Sequence, residues 1–265
     1  MDRHSTAADD YQALPRPIGV LGKSYAAGTD IPLHEHRRGQ LLYAMSGIMR
    51  VATEGAVFIL PPNRALWLPP GVPHALRILA GVEMRNLYIA PEVALFPEPT
   101  PKILAMTLLV RALILRLLEE PPLYDEEGSA GLIARLLLSE IPRLAEVPLS
   151  AALPADPRLR RLTNAILAEP ARDWSLERAA EIAALSPRTL ERHIQDETGL
   201  SYGRWRQQLL MLEAISLLAS GLTIADVTRR LGYANASAFA AAFKRSFGQS
   251  PSDFRTRNAA SGRDG

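Results

Sequence analysis

Short runs in which apolar and polar residues alternate fill the chain between residues 18 and 90, and glycine or proline interrupts them about every ten residues. The clearest runs are residues 40–47, 48–53, 56–60 and 65–68. Alternation places successive side chains on opposite faces of an extended backbone, so these runs predict short β-strands. Proline cannot donate within a central ladder, so Pro61-Pro62 and Pro69-Pro70-Gly71 predict turns. Strands at this spacing favour a sandwich or a barrel.

Beyond these strands the apolar residues recur at three- and four-residue spacing, which predicts helices over residues 103–120 and 126–147. Residues 103–118 are apolar around the whole circumference of that helix. The helix must therefore bury more than one face, against the strands, the second helix or the same helix of another chain. Residues 148–157 lack periodicity and mark the predicted domain boundary. From Asp156 onward the pattern is helical, and the Gly/Ser/Asp-rich end predicts a disordered tail.

Length and composition indicate a folded protein of two domains. The chain has 265 residues, of which 48% are apolar and 22% are charged, close to globular averages, which excludes a disordered or fibrous chain. It has no cysteine, which excludes disulfides, thiolate nucleophiles, iron–sulfur clusters and cysteine-based zinc fingers. The first ten residues carry three aspartates, and arginines interrupt the most apolar segments. We therefore expect a cytoplasmic protein with neither a secretory signal nor a membrane span.

The charge is uneven along the chain. The net charge is +2, but residues 155–265 carry sixteen Lys and Arg against twelve Asp and Glu. A basic surplus of +4 on one domain fits a polyanionic partner such as double-stranded DNA.

A helix, a short break and a second helix follow one another between residues 175 and 197. The first helix, 176–183, has a small apolar face that lets another helix cross it closely. The second helix begins with Ser186 as its N-cap, and Leu190 and Ile194 give it an apolar face. Its opposite face is basic and polar, as in a helix that enters the major groove of DNA. The pattern predicts a helix-turn-helix unit.

A second unit of this kind begins 48 residues later. Thr223 and Asp226 form a capping box, Gly232-Tyr233 turns the chain, and Asn235 caps the next helix. That helix carries an aromatic residue at every fourth position: Phe239, Phe243 and Phe247. The sequence therefore predicts two DNA-reading units within one domain.

One unbroken helix, residues 202–219, is predicted to join the two units. At 1.5 Å per residue it is about 27 Å long, comparable with the roughly 34 Å between successive major-groove faces. It would hold both units over adjacent grooves. A plain helical bundle is the alternative, but it accounts for neither the caps nor the arginine-bearing face.

Candidate DNA contacts lie on the outer positions of both units. In the first unit they are Ser175, Arg188, Thr189, Glu191, Arg192 and Gln195. In the second unit they are Asn235, Ser237 and Lys244. Arg188 and Arg192 lie one turn apart and suit guanine edges or phosphates. The outer face of the second helix is largely alanine, so we expect it to contact mainly phosphates and thymine methyl groups.

Several segments of this region together resemble the signature of AraC/XylS-type transcription regulators. They are Ser186-Pro-Arg-Thr-Leu-Glu-Arg192, Gly199-Leu-Ser-Tyr202, Trp205-Arg206, Gly232-Tyr233, Phe243-Lys-Arg-Ser-Phe-Gly-Gln-Ser-Pro251 and Phe254-Arg255. The resemblance covers about residues 157–257 and implies a bipartite DNA-binding domain in a homodimer that binds two half-sites. One departure concerns the second recognition helix, where the family usually places polar or basic side chains. This chain has Ala236, Ser237, Ala238, Ala240 and Ala241 there.

Two segments of the predicted strands resemble the cupin motifs. Gly28, His34, His36 and Gly47 have the spacing of the first motif, with Gln40 in place of its usual glutamate. Pro69-Pro-Gly71-Val-Pro-His74 resembles the core of the second motif, without its trailing asparagine. His34 and His36 share a strand face by the two-residue period, and His74 falls on a neighbouring strand. We therefore expect the three histidines to converge, with Gln40 as a candidate fourth member.

Three interpretations of this histidine site stay open. A sensor domain could use a bound Zn, Fe, Mn or Ni ion to hold an effector, and a divalent transition metal is thus a candidate cofactor. Metal-free imidazoles could bind the effector directly or simply form hydrogen bonds inside an inherited barrel. A catalytic cupin is the third interpretation, but the neutral Gln40 weakens a hard divalent site.

Four nearby residues are interpreted as structural. Tyr43 and Trp67 could line a ligand cavity, but core packing is the favoured interpretation. Arg37 and Arg38 could meet an anionic effector, but an exposed charged turn is favoured.

The predicted fold is multidomain: an all-β cupin-like barrel, a two-helix connector and an all-α double helix-turn-helix domain. The predicted segments are an N-terminal tail at 1–14, the effector-sensing barrel at 15–95, the connector and linker at 96–155, the DNA-binding domain at 156–257 and a disordered tail at 258–265. The predicted function is a one-component, sequence-specific transcription regulator and not an enzyme. Its expected partners are double-stranded DNA, a small-molecule or metal effector and a second copy of the chain, with RNA polymerase a further candidate. The alternative is a metal-dependent cupin enzyme with a DNA-binding tail.

Overall fold

The computed structural model describes residues 8–147, 150–247 and 249–260. These residues form two compact units. Unit 1 comprises the described residues up to Val51 together with residues 60–147, and unit 2 comprises residues 52–59 together with the described residues from 150 onward. The sequence analysis did not anticipate that residues 52–59 cluster with the C-terminal part of the chain.

The strands fall where the alternating pattern predicts them, and two further strands were not predicted. In chain order they are β1 (Ile18–Tyr25), β2 (Asp30–His34), β3 (Gly39–Thr53), β4 (Ala56–Leu60), β5 (Arg64–Leu68), β6 (His74–Ile89), β7 (Lys102–Ala105) and β8 (Ser150–Ala152). The two additions are β7 and β8, whose short apolar sequences carry no alternation long enough to recognise.

The long strand β6 organises the sheet of unit 1. It pairs with β1 in antiparallel register from Ile18↔Ile89 to Tyr25↔Val82, and its beginning pairs with β2. The pairing with β2 sets His34 directly opposite His74. On its other side β6 neighbours β3, which pairs with β5, and β5 pairs with β7. Strand β6 therefore connects the strands that carry the predicted histidine site.

Close approach of β3 and β6 explains one of the cupin-like glycines. Gly47 has a φ of 73°, and a Cβ added there would lie 2.0 Å from the carbonyl oxygen of Gly81. Any larger residue at position 47 would force the two strands apart.

Two helices of unit 1 pack against this sheet: α1 (Leu108–Leu118) and α2 (Ser129–Glu140). The predicted helix over 103–120 was wrong at its start, because residues 103–105 pair with β5 as part of β7. The predicted helix over 126–147 was too long at both ends, and residues 141–143 form a 3-10 turn. Buried residues of both helices share one apolar core with the strands.

Unit 2 is helical apart from the β4–β8 pair. Its helices are α3 (Pro157–Ala168), α4 (Leu176–Ala183), α5 (Pro187–Thr198), α6 (Tyr202–Ala219), α7 (Ile224–Arg230), α8 (Ala236–Phe247) and α9 (Pro251–Ala260). No helix in the described ranges is long and apolar enough to cross a membrane.

The segment predicted as the domain boundary contains β8, because residues 150–152 pair with β4. Residues 148 and 149 of that segment lie outside the described residues.

Both predicted tails are structured where the structure describes them. Helix α9 extends to Ala260, into the segment predicted to be disordered, while residues 261–265 lie outside the described residues. At the other end, residues 1–7 lie outside them as well. Residues 9–11 form a 3-10 turn, and the Tyr11 side chain is buried against Tyr88. A buried aromatic anchor thus holds the beginning of the described chain on unit 1.

Candidate functional site

Helices α4 and α5 form the first predicted helix-turn-helix. Ser175 caps α4 by accepting a hydrogen bond from the Arg178 backbone N–H at 3.3 Å, and Ser186 caps α5 by accepting one from the Thr189 N–H at 3.2 Å. Between the helices Ala184 takes a left-handed conformation with φ of 54°. The facing surfaces consist of small or branched apolar side chains that are buried: Ala179, Ala180, Ala183, Leu190 and Ile194. The first helix-turn-helix therefore forms as the sequence predicts.

The outer face of α5 carries the candidate base-reading residues. Arg188, Arg192 and Gln195 are exposed. Thr189 is half-buried and its hydroxyl lies 2.8 Å from the Ser186 hydroxyl, so it supports the cap. The free face of α5 is consequently polar and basic.

Glu191 has a different position from the other candidates on α5. Its carboxylate accepts a hydrogen bond from the Tyr202 backbone N–H at 3.3 Å, at the beginning of α6. This contact gives Glu191 a role in capping α6, and we do not include it among the proposed DNA contacts.

Helices α7 and α8 form the second helix-turn-helix. The Thr223 hydroxyl accepts from the Asp226 backbone N–H at 3.1 Å, and the Asn235 side chain accepts from the Ala238 N–H at 2.8 Å. Gly232 turns the chain with a φ of 75°. The three predicted phenylalanines stack edge to face along α8, with ring centroids 5.7 and 4.6 Å apart.

The outer face of α8 offers few groups that could read bases. Asn235, Ser237 and Lys244 are exposed, as are most of the alanines, while Ala240 is half-buried. Sequence reasoning missed three exposed cations of the second helix-turn-helix, Arg229, Arg230 and Arg245. Their signal was available, since all three lie in the last turn of α7 or α8.

Helix α6 joins the two helix-turn-helix units within unit 2, and many of its side chains are buried. The indole N–H of Trp205 donates to the Ala152 carbonyl at 3.1 Å, and the Tyr202 hydroxyl donates to the Trp174 carbonyl at 3.0 Å. Both rings are buried. An 18-residue helix spans about 27 Å, a length comparable with one turn of DNA.

An ionic cluster lies where α3 begins. The Asp156 carboxylate caps α3 and accepts from the Arg158 guanidinium at 2.6 Å, which holds the pKa of Asp156 well below its ordinary value. The Nδ1 atom of His193 on α5 lies 3.5 Å from the same carboxylate. The lowered Asp156 pKa means that this contribution to stability is present at neutral pH and is lost as the pH falls through the folded-state pKa.

Three imidazoles lie together in unit 1, as the strand spacing predicts. The ring centroids of His34 and His74 are 4.3 Å apart, those of His34 and His36 are 5.0 Å apart, and those of His36 and His74 are 5.4 Å apart. Each offers a ring nitrogen, and these nitrogens all lie within 4.8 Å of one another. His36 and His74 are buried, and His34 is half-buried.

Backbone carbonyls orient two of these rings. The Nδ1 atom of His34 lies 2.8 Å from the Pro32 carbonyl oxygen, and the Nδ1 atom of His74 lies 2.9 Å from the Val72 carbonyl oxygen. A carbonyl only accepts, so Nδ1 carries the hydrogen in the neutral form of each ring and Nε2 then keeps its lone pair. Burial lowers the pKa of His36 and of His74 to about 4, so both rings are neutral at pH 7.

A cavity of about 210 Å³ adjoins His34 and His36. Its polar lining includes Lys23, Gln40 and Asn86. Within the described ranges, the Gln40 Oε1 and Asn86 Oδ1 atoms are buried without a hydrogen-bond partner. Sequence reasoning included Gln40 but missed Lys23 and Asn86, which lie far from the histidines along the chain.

The four neighbouring residues interpreted as structural divide into two groups. Tyr43 and Trp67 belong to the apolar core of unit 1 and are buried, as predicted. Arg37 is exposed, but the prediction of an exposed turn was wrong for Arg38. Its guanidinium is buried and donates to the carbonyls of Leu14, Arg16 and Tyr88. These three carbonyl oxygens take the place of the water molecules that the guanidinium loses on burial.

Comparison with known proteins agrees with both regions. Residues 20–141 match the family model for the AraC-like ligand binding domain, and residues 179–257 match a helix-turn-helix domain model. The HTH-type transcriptional regulator NimR of Escherichia coli is 34% identical over 234 residues, which cover 87% of this chain and 85% of NimR. The chain belongs to the AraC family of transcription regulators.

Two further relatives of this AraC-family regulator match over shorter stretches. The HTH-type transcriptional regulator RipA of Corynebacterium glutamicum is 35% identical over 134 residues, covering 51% of this chain and 38% of RipA. The solved C-terminal domain of AraT from Geobacillus stearothermophilus is 33% identical, covers 38% of this chain and 85% of its own, and has a TM-score of 0.35. Membership of the family assigns the regulator a ligand-binding N-terminal part and a DNA-binding C-terminal part.

Proposed function

We propose that this AraC-family regulator reads operator sequence mainly through α5, while α8 anchors the protein by phosphate contacts. The observation that carries the proposal is the unequal pair of outer faces. Helix α5 presents exposed Arg188 and Arg192 one turn apart, whereas α8 presents mainly alanine with Lys244 and Arg245 at its end. Arginine pairs bidentately with guanine, and a lysine at a helix end suits a phosphate.

The proposal includes an effector in the cavity beside His34 and His36, and a non-catalytic role for that cavity. The cavity combines polar and apolar lining residues, and the neutral Gln40 occupies the position where a cupin enzyme would offer a carboxylate. Binding of the effector would alter DNA affinity or contact with RNA polymerase in the cytoplasm. Whether transcription rises or falls then depends on where the bound site lies relative to the promoter.

Substituting every base pair of an operator in turn tests the unequal reading. We expect the half-site under α5 to lose about 1 to 3 kcal/mol of binding free energy at each guanine read by an arginine. We expect much smaller and more uniform losses under α8. Stronger discrimination in the α8 half-site than in the α5 half-site would show that the assignment is wrong.

We also propose that the regulator is a homodimer held through α1 and α2. Both helices share the apolar core of unit 1 yet leave large apolar side chains uncovered on their outer faces. Leu108 is 84% exposed and Leu132 is 60% exposed, while Leu109 and Leu136 are exposed as well. An apolar face of this kind on a soluble unit favours contact with another protein surface, here a second copy.

Replacing Leu108 and Leu132 together by glutamate should convert the dimer to a monomer at micromolar concentration. Each chain would then have to bury two carboxylates against its partner, which is unfavourable. Sedimentation of the full chain measures this change. Leu33→Glu is the control, since Leu33 is 69% exposed but lies on β2, away from both helices. A monomeric unmodified chain, or a double variant that stays dimeric, would contradict the proposal.

A further inference from the structure

One of the unpartnered buried polar groups in unit 1 is the Nε2 atom of His74. It is buried and has no hydrogen-bond partner within the described ranges. The Nδ1 atom of the same ring is fixed on the Val72 carbonyl at 2.9 Å, so Nε2 is a bare acceptor that faces no donor. A buried acceptor left in this state destabilises the folded protein, and a bound cation would offset that cost.

His34 repeats this arrangement on the paired strand. Its Nδ1 atom lies 2.8 Å from the Pro32 carbonyl, so its Nε2 atom also keeps a lone pair. Histidines that bind metals commonly donate their other ring N–H to a backbone carbonyl, which fixes the tautomer and the direction of the free nitrogen. His34 and His74 both have this support, and His36 lies in ring contact with each of them.

We propose that His34, His36 and His74 bind one divalent transition-metal ion of the zinc class. This proposal rests on the ligand-binding role proposed above, and metal binding is measured independently of DNA binding. Three neutral nitrogen donors select a transition metal over magnesium or calcium, which prefer oxygen ligands.

The geometry needs only local adjustment to hold the ion. The ring nitrogens lie within 4.8 Å of one another. Around a tetrahedral ion with bonds of 2.0 to 2.1 Å they would lie about 3.3 Å apart. His34 is only half-buried, so its side chain has room to move toward the other two rings. Small rearrangements of this kind accompany metal binding at sites that are otherwise preformed.

Three histidines leave the fourth coordination position of a tetrahedral ion to another ligand. All three protein ligands are neutral, so the ion keeps its full +2 charge, while the adjoining cavity is lined by Lys23 together with Asp9 and Glu35. An anion at the fourth position would lower this charge. The charge of the ion therefore favours a small anionic ligand at the fourth position.

Cobalt substitution tests the metal site without any functional assay. The probe is Co²⁺ alone, titrated into the untagged full chain, with the visible absorption of tetrahedral Co²⁺ as the signal and Zn²⁺ displacement as the measure of affinity. We expect one ion per chain. We expect His34→Gln, His36→Gln and His74→Gln each to weaken Zn²⁺ binding more than about 100-fold, because loss of groups that merely orient the ligands already costs 10- to 100-fold.

His193→Gln is the matched control, since it removes a histidine from unit 2 and should leave binding unchanged. If the two buried variants fail to fold, the half-buried His34→Gln provides the test, with thermal unfolding of the metal-free proteins as the check. Less than about a tenth of an equivalent of Co²⁺ on the unmodified chain would overturn the proposal, as would three variants that bind Zn²⁺ as tightly as the unmodified chain does. Metal binding without operator binding would support this site and contradict the proposed regulation instead.

Discussion

Replacing both Arg188 and Arg192 by alanine should nearly abolish specific DNA binding. Both side chains are exposed on the outer face of α5, and neither is needed for its caps or its buried face. If each makes one bidentate base contact, the double change removes about 2 to 6 kcal/mol. Each 1.4 kcal/mol corresponds to a tenfold change in affinity, so operator affinity would fall by a factor of between about 30 and more than 10,000. Titration of a labelled operator at fixed salt concentration measures this loss.

The matched control replaces the same two residues by lysine. Lysine keeps the charge but cannot form the planar bidentate contact, so non-specific affinity should be retained while base discrimination is lost. Unfolding of both variants in denaturant should match the unmodified chain within about 0.5 kcal/mol, because exposed substitutions away from caps change stability little. An alanine variant that still distinguishes operator from random DNA would contradict the role of α5.

Replacing Phe243 by alanine should destabilise unit 2 by about 3 to 5 kcal/mol. Phe243 is fully buried, and its ring contacts Phe239, Phe247 and Phe254 edge to face at centroid distances of 4.6 to 5.7 Å. The change leaves a cavity between α8 and α9 that neighbouring side chains fill only in part. Chemical denaturation followed by tryptophan fluorescence measures the loss, since Trp174 and Trp205 are both buried in this unit.

Lys244→Ala is the control for this measurement. Lys244 follows Phe243 directly but is exposed, so the free energy of unfolding should change by less than about 0.5 kcal/mol. A Phe243→Ala loss below about 1 kcal/mol would show that the phenylalanine stack does not form the core of the second helix-turn-helix.

The helix-turn-helix units were predictable because their signals are local. Ser186, Thr223 and Asn235 each cap a helix within three residues of their own position, and these hydrogen bonds form where the sequence predicts them. The apolar spacing of Leu190 and Ile194 likewise depends only on helical periodicity.

Long-range pairing limited the prediction elsewhere. The apolar run at residues 103–105 suits a helix or a strand equally, and pairing with β5 decides for the strand. Arg38 follows an exposed arginine in the chain, yet carbonyls from the N-terminal segment and from β6 surround it. Neither outcome has a signal in the neighbouring sequence.

The histidine site depends partly on local sequence signals and partly on long-range contacts. The two-residue period of a strand predicts that His34 and His36 lie together, and motif spacing adds His74. The three rings do converge, but β2 ends at His34, so His36 follows the strand and does not share its face. The contribution of Asn86 depends on which face of β6 turns toward the cavity, and the fixed tautomers of His34 and His74 depend on carbonyls positioned by the fold. These features required the structure.

Selection of bound fragments from genomic DNA, with the unmodified chain and the Arg188→Ala/Arg192→Ala variant compared in parallel, tests the central claim most directly. The account predicts that the unmodified chain enriches a motif with two blocks about one helical turn apart, one of them much more strongly specified than the other. It also predicts that the variant loses the strongly specified block. Fragments that share no motif, or the same motif recovered by both proteins, would contradict it.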